Sequence, residues 1–436
     1  MEKFISLFAL VGLFVLTSSA NATQGRYHRE VTSALDFISA YQSDGRGRYD
    51  EGQWIARVTS YVPSVVGVGK MGVPFDEPSA FVAASIANVL AEIYFLDPTY
   101  REIPPMVEKA AAGFTKYRWG DLFNFYPPKT YKGKKVRGPR YMYLARQWQG
   151  FANIPPDADT TSVSYTTLHY LKALEHNAEP QSFQAQIPSD TVEAFSEFRD
   201  LKRVPHVYNA TQGHVNTGAF MTWLFDEKNP RMPRNIFANP GKGTRIPFNY
   251  NDVDCVVNAN VLKLLTYARK TEGRGYKASC SHLNRVVRLK QYYFCGMYYP
   301  SYYALPYTIA SLIESGADCL NSSKDRLLHY LLSKQKPDGS WRNSFVARPD
   351  YVQSTAWALN ALMVLGDKKN PSHQRRVARA VKFLLRNSYK DDKGRLFWSG
   401  QVFYAATFIA RYPVVWRSSA YTTAVVAKAL VHADSW

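Results

Sequence analysis

Cysteine is scarce in this 436-residue sequence, which contains four of them and no C-x-x-C pair. Paired spacing of that kind is usual in zinc sites, so its absence argues against a metal centre. Cys255, Cys280, Cys295 and Cys319 instead predict one or two disulfides, or buried thiols, with three pairings open. The sequence also lacks G-x-S-x-G, H-E-x-x-H and phosphate-binding glycine loops. We therefore predict no bound metal and no cofactor.

Long apolar runs are absent beyond the N-terminus. Lys3 is followed by a mainly apolar stretch from Phe4 to Leu16 and by small residues up to Ala22, which is the pattern of a secretory signal peptide. No later segment reaches ~18 apolar residues without charges, the length that a membrane span requires. These features predict that residues 1–22 are removed and that the mature chain, 23–436, is periplasmic or secreted.

Acidic residues are outnumbered by basic ones. The 35 Asp and Glu stand against 54 Lys and Arg, which gives a net charge of +19. In an exported protein this excess favours contact with anionic glycans, membrane surfaces or other acidic partners. Nucleic acid is not among the expected partners, because no recognisable nucleic-acid-binding motif is present.

Three segments share one design: an amphipathic helix, a polar turn that contains glycine, and an aromatic residue after the turn. They are "SALDFISAYQSDGRGRY", "LLHYLLSKQKPDGSW" and "AVKFLLRNSYKDDKGRLFW", in which the aromatic residues are Tyr49, Trp341 and Trp398. Glycine allows the tight turn, and the aromatic ring is expected to pack back against the hairpin.

Other helices are apolar over most of their circumference, which predicts burial on most sides. They span 79–93, 161–174, 255–268, 302–313, 352–365 and 418–431. Amphipathic partners lie near 29–41, 103–117, 191–201, 281–291, 323–334 and 373–386. This alternation predicts an all-α fold, an (α/α)6 toroid of inner and outer helices. No linker divides the chain, so we expect a single toroid domain over 23–436.

Two short motifs resemble those of a known superfamily. "QKPDGSW", Gln335 to Trp341, fits the Q-x-x-x-G-x-W turn of squalene and oxidosqualene cyclases, and "DADTT", Asp157 to Thr161, resembles the D-x-D-D-T of class II terpene cyclases. The chain thus resembles the terpenoid cyclase and protein prenyltransferase superfamily, as a single-toroid exported member. The zinc site of the prenyltransferases is not expected, because Asp252 to Cys255 lacks their D-x-C spacing and Tyr421 to Thr423 contains no histidine.

The acids of these motifs are the candidate catalytic residues. The resemblance implies that Asp159 protonates an alkene or epoxide, with Asp157 as a neighbour that tunes it and Asp254 or Asp252 in support. Such chemistry needs a carboxyl group that is held neutral and desolvated. The structural alternative is that these aspartates only cap the buried helices that follow them.

Aromatic and basic side chains supply candidates for substrate binding. Residues 291–307 contain seven tyrosines, whose rings and hydroxyls suit sugars. Residues 129–146 form a predicted loop with seven basic and no acidic residues, which could hold an anionic glycan or headgroup. The predicted binding residues are Tyr165, His214, Asn216, Tyr299, Tyr303, Trp357, Arg137 and Arg140.

Three functions remain open at this point. The first is a cavity enzyme that uses an aspartic acid on an isoprenoid-like or amphipathic substrate. The second is an extracytoplasmic glycan lyase or hydrolase that acts on an acidic polysaccharide, and the third is a non-catalytic toroid that binds a lipid or glycan. A dry cavity lined by Phe and Trp would favour the first, whereas an open groove with Tyr, Arg and several acids would favour a glycan ligand.

Overall fold

A computed structural model describes residues 25–131, 133–145, 153–201, 216–224, 251–343, 351–406 and 412–436. The predicted signal peptide, 1–22, and the candidate His214 lie outside these ranges. Within them, no helix combines the length and the apolar composition that a membrane span needs.

Six of the helices in the described residues are buried over nearly their whole surface. They are α2 (Ala80–Leu96), α4 (Ala158–Glu175), α6 (Cys255–Tyr267), α8 (Ala304–Glu314), α10 (Val352–Leu365) and α12 (Ser419–Asp434). Each packs against the next, and α12 packs against α2, so that these inner helices form a closed ring. All six agree with the predicted buried helices to within a few residues, because an apolar circumference is stable only in the interior.

The remaining helices alternate with the inner ones along the chain and pack on their outside. They are α1 (His28–Ala40), α3 (Ile103–Ala112), α5 (Ser189–Glu197), α7 (Arg274–Arg288), α9 (Lys324–Lys334) and α11 (Pro371–Arg386). For example, α3 contacts α2, α7 contacts α6, and α11 contacts both α10 and α12. The architecture is mainly helical and is compatible with an α/α toroid.

The expectation of an all-α fold is wrong in one respect, because the chain also forms short strands. A four-stranded antiparallel sheet has the order β2 (Pro74–Glu77), β1 (Ala56–Ser60), β10 (Val414–Arg417), β9 (Val402–Ala406). Three two-stranded ribbons are added by β3 (Arg118–Trp119) with β4 (Leu122–Phe123), β5 (Pro128–Tyr131) with β6 (Lys134–Arg137), and β7 (Tyr389–Lys390) with β8 (Leu396–Phe397). Strands of two to five residues are too short for periodicity to reveal them.

The tryptophans after the hairpin turns close the turns by hydrogen bonds. The indole N–H of Trp341 donates to the Leu331 carbonyl at 2.8 Å, and that of Trp398 donates to the Leu384 carbonyl at 2.7 Å. In the first hairpin this role belongs to Trp54, which donates to Ile38 at 2.9 Å, and not to the predicted Tyr49. Tyr49 comes too early in the turn and is only partly buried.

Two disulfides settle the pairing that the sequence left open. Cys255 is bonded to Cys295, and Cys280 is bonded to Cys319. The first ties the start of inner helix α6 to the tyrosine-rich segment, and the second ties outer helix α7 to the segment that precedes α9.

We expect Trp341→Phe to lower the free energy of unfolding by about 1–3 kcal/mol, because it keeps most of the ring but leaves the buried Leu331 carbonyl without its indole donor. Urea unfolding followed by circular dichroism measures this change. Tyr389→Phe is the control, since Tyr389 is 58% exposed. Equal stability of the two variants would contradict an anchoring role for Trp341.

Candidate functional site

The two acids that begin helix α4 have different roles. Asp157 is the N-cap, and its Oδ1 accepts a hydrogen bond from the Thr160 N–H at 2.6 Å. Asp159 lies within the first turn, but its carboxylate accepts hydrogen bonds from the Asn260 side-chain amide at 2.7 Å and from the Tyr299 hydroxyl. Capping is therefore the contact made by Asp157, whereas Asp159 bonds side chains of other elements.

Asp254 is committed to backbone contacts. It caps α6 by accepting hydrogen bonds from the N–H groups of Val256 and Val257 at 2.7 and 3.1 Å. Its other oxygen accepts from the N–H groups of Met297 and Tyr298, which fixes the tyrosine-rich segment against the start of α6. With four backbone donors, this carboxylate is bound as a structural element.

Asp252 lies beside this cap and bonds hydroxyl groups. One of its oxygens accepts from Thr222, and the other accepts from Tyr298 at 2.6 Å. The candidate acids thus gather at the N-terminal ends of α4 and α6, where all four are buried.

Burial raises the pKa of Asp157, Asp159 and Asp254 to about 7, because a carboxylate without water is poorly solvated. For Asp159 the neighbouring Asp157 raises the pKa further, while the hydrogen bonds from Tyr299 and Asn260 lower it. Asp159 therefore changes its protonation state near neutral pH, in the range that suits a general acid.

A small cavity lies inside the ring. Asp159 is not one of its lining residues, but the two side chains that donate hydrogen bonds to Asp159, Asn260 and Tyr299, do line it. Near this acid the cavity is lined by Phe81, Val163, Val256, Phe403 and the Tyr299 ring. As bounded by the described residues, the whole cavity has a volume of about 80 Å³, which is below the range usual for ligand pockets.

Aromatic faces are concentrated at this end of the cavity. The rings of Phe403 and Tyr421 stack with centroids 4.6 Å apart, and the Phe81 ring lies 6.1 Å from Phe403 and 6.3 Å from Tyr299. Such faces stabilise a positive charge through their quadrupoles.

The other end of the cavity contains a buried ion cluster. Glu92 on α2 accepts from Lys263 on α6 at 2.6 Å and from Lys428 on α12 at 2.8 Å, while Lys263 also donates to Ser311 on α8 at 2.7 Å. Burial alone would raise the pKa of Glu92, but the two lysines outweigh it and lower the pKa to about 2. The cluster joins four inner helices across the ring.

Sequence reasoning missed this cluster, although a signal for it is present. Glu92, Lys263 and Lys428 are charged residues inside predicted helices that are otherwise apolar. A charge in such a helix must find an opposite partner in the interior, since an isolated buried charge is too costly.

Two of the predicted binding residues lie at or near the cavity. Tyr299 lines it and donates to Asp159. Trp357 lies behind the lining, where its indole N–H donates to the Tyr421 hydroxyl at 3.2 Å and its ring stacks on Tyr307.

Tyr165 and Tyr303 are placed elsewhere. The Tyr165 hydroxyl donates to the Asp121 carbonyl at 2.8 Å, and the ring packs on Phe123. Tyr165 follows Asp159 by six residues, which correspond to one full helical turn and about two-thirds of another. The two side chains therefore lie on different faces of α4. Tyr303 is buried beside Tyr330 of outer helix α9.

None of the described residues of the basic segment lines this cavity. Part of the predicted loop is the hairpin β5–β6, in which the Arg137 guanidinium lies 4.3 Å from the Trp119 ring centroid. Arg140 is exposed, and its backbone N–H donates to the Glu77 carboxylate at 2.9 Å. Asn216 is exposed with a φ of 54° and also lies outside the lining.

In the described part of the chain, one group of side chains has the composition of a metal site. The side chains of Cys255, His282 and Cys295 are buried close together. The two sulfurs are bonded to each other, so neither is available as the thiolate that a metal would bind.

Comparison with known proteins places this geometry in context. No protein-family model and no curated protein matches the sequence. Among solved structures, the type II terpene cyclase MstE from Scytonema is similar with a TM-score of 0.56 and 14% identity, over 93% of this chain and 98% of that one. The fold is terpenoid cyclase-like. MstE has been solved with geranylgeranyl dihydroxybenzoate as substrate and merosterolic acid A as product.

Other solved structures show that this fold serves different chemistry. A protein from Actinoplanes matches with a TM-score of 0.54 at 14% identity, over 93% of this chain and 98% of its own. Cellobiose 2-epimerase from Bacillus thermoamylovorans matches with a TM-score of 0.51 at 12% identity, over 92% of this chain and 98% of its own. At such identities the similarity concerns the fold alone, so the function has to be inferred from the site.

We expect Asp159→Asn to become more stable relative to wild type as the pH rises from about 4 to about 8. Because burial raises the pKa of Asp159 from 3.8 to about 7, the folded protein binds the extra proton in this window, and stability declines as that proton is lost. Relative to wild type, the free energy of unfolding of the variant should be higher above pH 7 than at pH 4 by on the order of 1–3 kcal/mol. Urea unfolding at a series of pH values measures it, and a difference that does not vary with pH would contradict the buried-acid assignment.

Tyr299→Phe should raise the pKa of Asp159 further, because it removes a hydrogen bond that stabilises the carboxylate. A ¹³C NMR titration of the aspartate carboxyl groups, assigned with Asp159→Asn, measures the shift. Tyr303→Phe is the matched control from the same tyrosine-rich segment, since its ring lies beside Tyr330 and away from the acid. An unchanged titration in Tyr299→Phe would show that the hydroxyl does not act on Asp159.

Proposed function

We propose that this protein is an exported enzyme of the terpenoid cyclase type, built on an (α/α)6 toroid, in which Asp159 is the general acid. The observation that supports this most is that the two acids at the start of α4, Asp157 and Asp159, make different contacts. Asp157 provides the helix cap, so the buried Asp159 carboxyl does not have that role, and its partners Asn260 and Tyr299 line a cavity with aromatic walls.

The proposed step is protonation of a carbon–carbon double bond or an epoxide. The Asp159 proton passes to the substrate, where the π electrons of an alkene or a lone pair of an epoxide oxygen form the new bond to hydrogen. In the epoxide a C–O bond then breaks and its electrons stay on the oxygen, so a carbocation results in either case. After cyclisation this cation loses a proton to solvent. The carboxylate that remains is stabilised by the donors already in place, Asn260 and Tyr299. The cation produced on the substrate lies near the faces of Phe81 and Phe403. Solvent returns the proton to Asp159 after the reaction.

The two ends of the cavity favour an amphipathic isoprenoid-like substrate. The end near Asp159 is aromatic, whereas Glu92, Lys263 and Ser311 make the other end polar. Since the cavity is only about 80 Å³, a substrate with several isoprene units requires the lining side chains to move. Substrate length is therefore the variable to test.

Other observations support the remaining parts of the proposal. The apolar N-terminal segment and two disulfides fit an oxidising compartment outside the cytoplasm, either the periplasm or the exterior. A glycan lyase or hydrolase acting in this cavity has less support, because Tyr165, Arg137 and Arg140 do not line it.

We expect the mature chain to convert prenylated aromatic acids or their epoxides into cyclic products. In D₂O each product formed from an alkene substrate should carry deuterium at the carbon that Asp159 protonates, whereas an epoxide is protonated on oxygen and gains no deuterium on carbon in this step. Mass spectrometry of the products, from substrates of increasing chain length, detects the difference. Asp159→Asn should lower turnover by about a hundredfold or more, because an amide cannot supply the proton.

Asp338→Asn serves as the control variant, because Asp338 lies in the outer turn before Trp341 and its pKa is lowered to about 2 by partners in that turn. Circular dichroism establishes that both variants are folded. Full turnover by Asp159→Asn, or alkene-derived products without deuterium on carbon, would refute the role of Asp159.

A further inference from the structure

A second and much larger concave site lies on the surface, at the junction of the first hairpin and the sheet. It is bounded by the end of α1, the segment 41–57, the strands β1 and β10, and the segment 397–402. Its volume is about 1060 Å³, at the upper end of the range for ligand sites. It shares no lining residue with the cavity inside the ring. We call it the hairpin groove.

Two neighbouring arginines, Arg57 and Arg417, line the hairpin groove. Arg57 on β1 is directly opposite Arg417 on β10 in the antiparallel register. Like charges in that arrangement repel each other and destabilise a sheet. Asp76, opposite Arg57 on β2, approaches it at 3.3 Å and offsets one of the two charges.

Arg417 differs from Arg57 in its partners. Its guanidinium donates to the hydroxyls of Thr59 at 3.4 Å and of Tyr61 at 3.0 Å. Among the described residues, no carboxylate lies within ion-pair distance of it. Neutral oxygens therefore hold this half-buried arginine in place while its positive charge remains available. A planar guanidinium so positioned suits a carboxylate.

The walls of the hairpin groove carry the other groups that sugars require. Tyr41 is 55% exposed and packs on Phe37, which in turn stacks on Phe397 with centroids 4.7 Å apart. Aromatic faces of this kind stack on sugar rings. Hydroxyl, amide and carboxylate groups that can bond sugar hydroxyls are contributed by Ser43, Asp44, Ser399, Gln401 and Ser419.

We propose that the hairpin groove binds an acidic oligosaccharide, with a uronate carboxylate on Arg417 and a sugar ring against Tyr41. The net charge of +19 would attract such a polyanion. A flat lipid surface fits less well, because Arg417 lines a concave site whose walls include hydroxyl, amide and carboxylate groups. The inference does not depend on the chemistry proposed for Asp159.

The test is isothermal titration of the mature protein with a short oligogalacturonate. Arg417→Gln and, separately, Tyr41→Ala should each weaken binding by about tenfold, as expected for the loss of a charged hydrogen bond or a stacking surface. Arg288→Gln is the matched control, since it removes the same charge from an exposed site at the end of α7 and should leave the affinity nearly unchanged. Asp159→Asn should bind like wild type, whatever its turnover.

Several outcomes would overturn the proposal. Equal weakening by Arg417→Gln and Arg288→Gln would show that only the overall charge matters. Equal affinity for a neutral malto-oligosaccharide would remove the role of the carboxylate. Binding to vesicles of anionic phospholipid, with none to oligogalacturonate, would make the groove a headgroup site. Because Tyr41 is exposed, Tyr41→Ala remains informative even if Arg417→Gln fails to fold.

Discussion

A helix that is buried on all sides cannot leave the amide groups of its first turn to water, and this constraint governs the end of the ring at which Asp159 lies. At four of the six inner helices a side chain supplies an acceptor. Ser79 caps α2, Asp157 caps α4, Asp254 caps α6 and Ser418 caps α12. Two of these caps are carboxylates, which the helix dipole favours. The capping requirement thus brings acids into the interior.

The same constraint explains how one acid becomes available for chemistry. Once Asp157 satisfies the first turn of α4, the second acid two residues later is not needed for that purpose. Asp159 instead bonds Asn260 of the neighbouring inner helix and Tyr299 of the segment that Asp254 holds in place. The structural acid Asp254 therefore positions a partner of the candidate catalytic acid.

The opposite end of the cavity is formed by charged side chains, which must be stabilised in the interior. The side chains of Glu92, Lys263 and Lys428 are only 3–11% exposed, and each charge is acceptable there only because the others are present. Removing one partner would leave an uncompensated charge in the interior, so the cluster ties together helices that are far apart in sequence. The cavity consequently has one aromatic end and one ionic end, whereas the hairpin groove is lined by Arg417, which pairs with no carboxylate of the described residues.

The helices and the tryptophan turns could be predicted from the sequence, because an apolar circumference and a local glycine turn are properties of neighbouring residues. The role of Asp159 could only be suggested in this way, since Asp157 and Asp159 are equally plausible caps until the helix start is known. The partners that distinguish them, Asn260 and Tyr299, are 101 and 140 residues away. Glu92 and Lys428 are separated by 336 residues, and Arg57 meets Arg417 only where the first strand pairs with the last. These contacts were decided by closure of the ring, because it alone brings the two ends of the chain and the facing sides of the inner helices together.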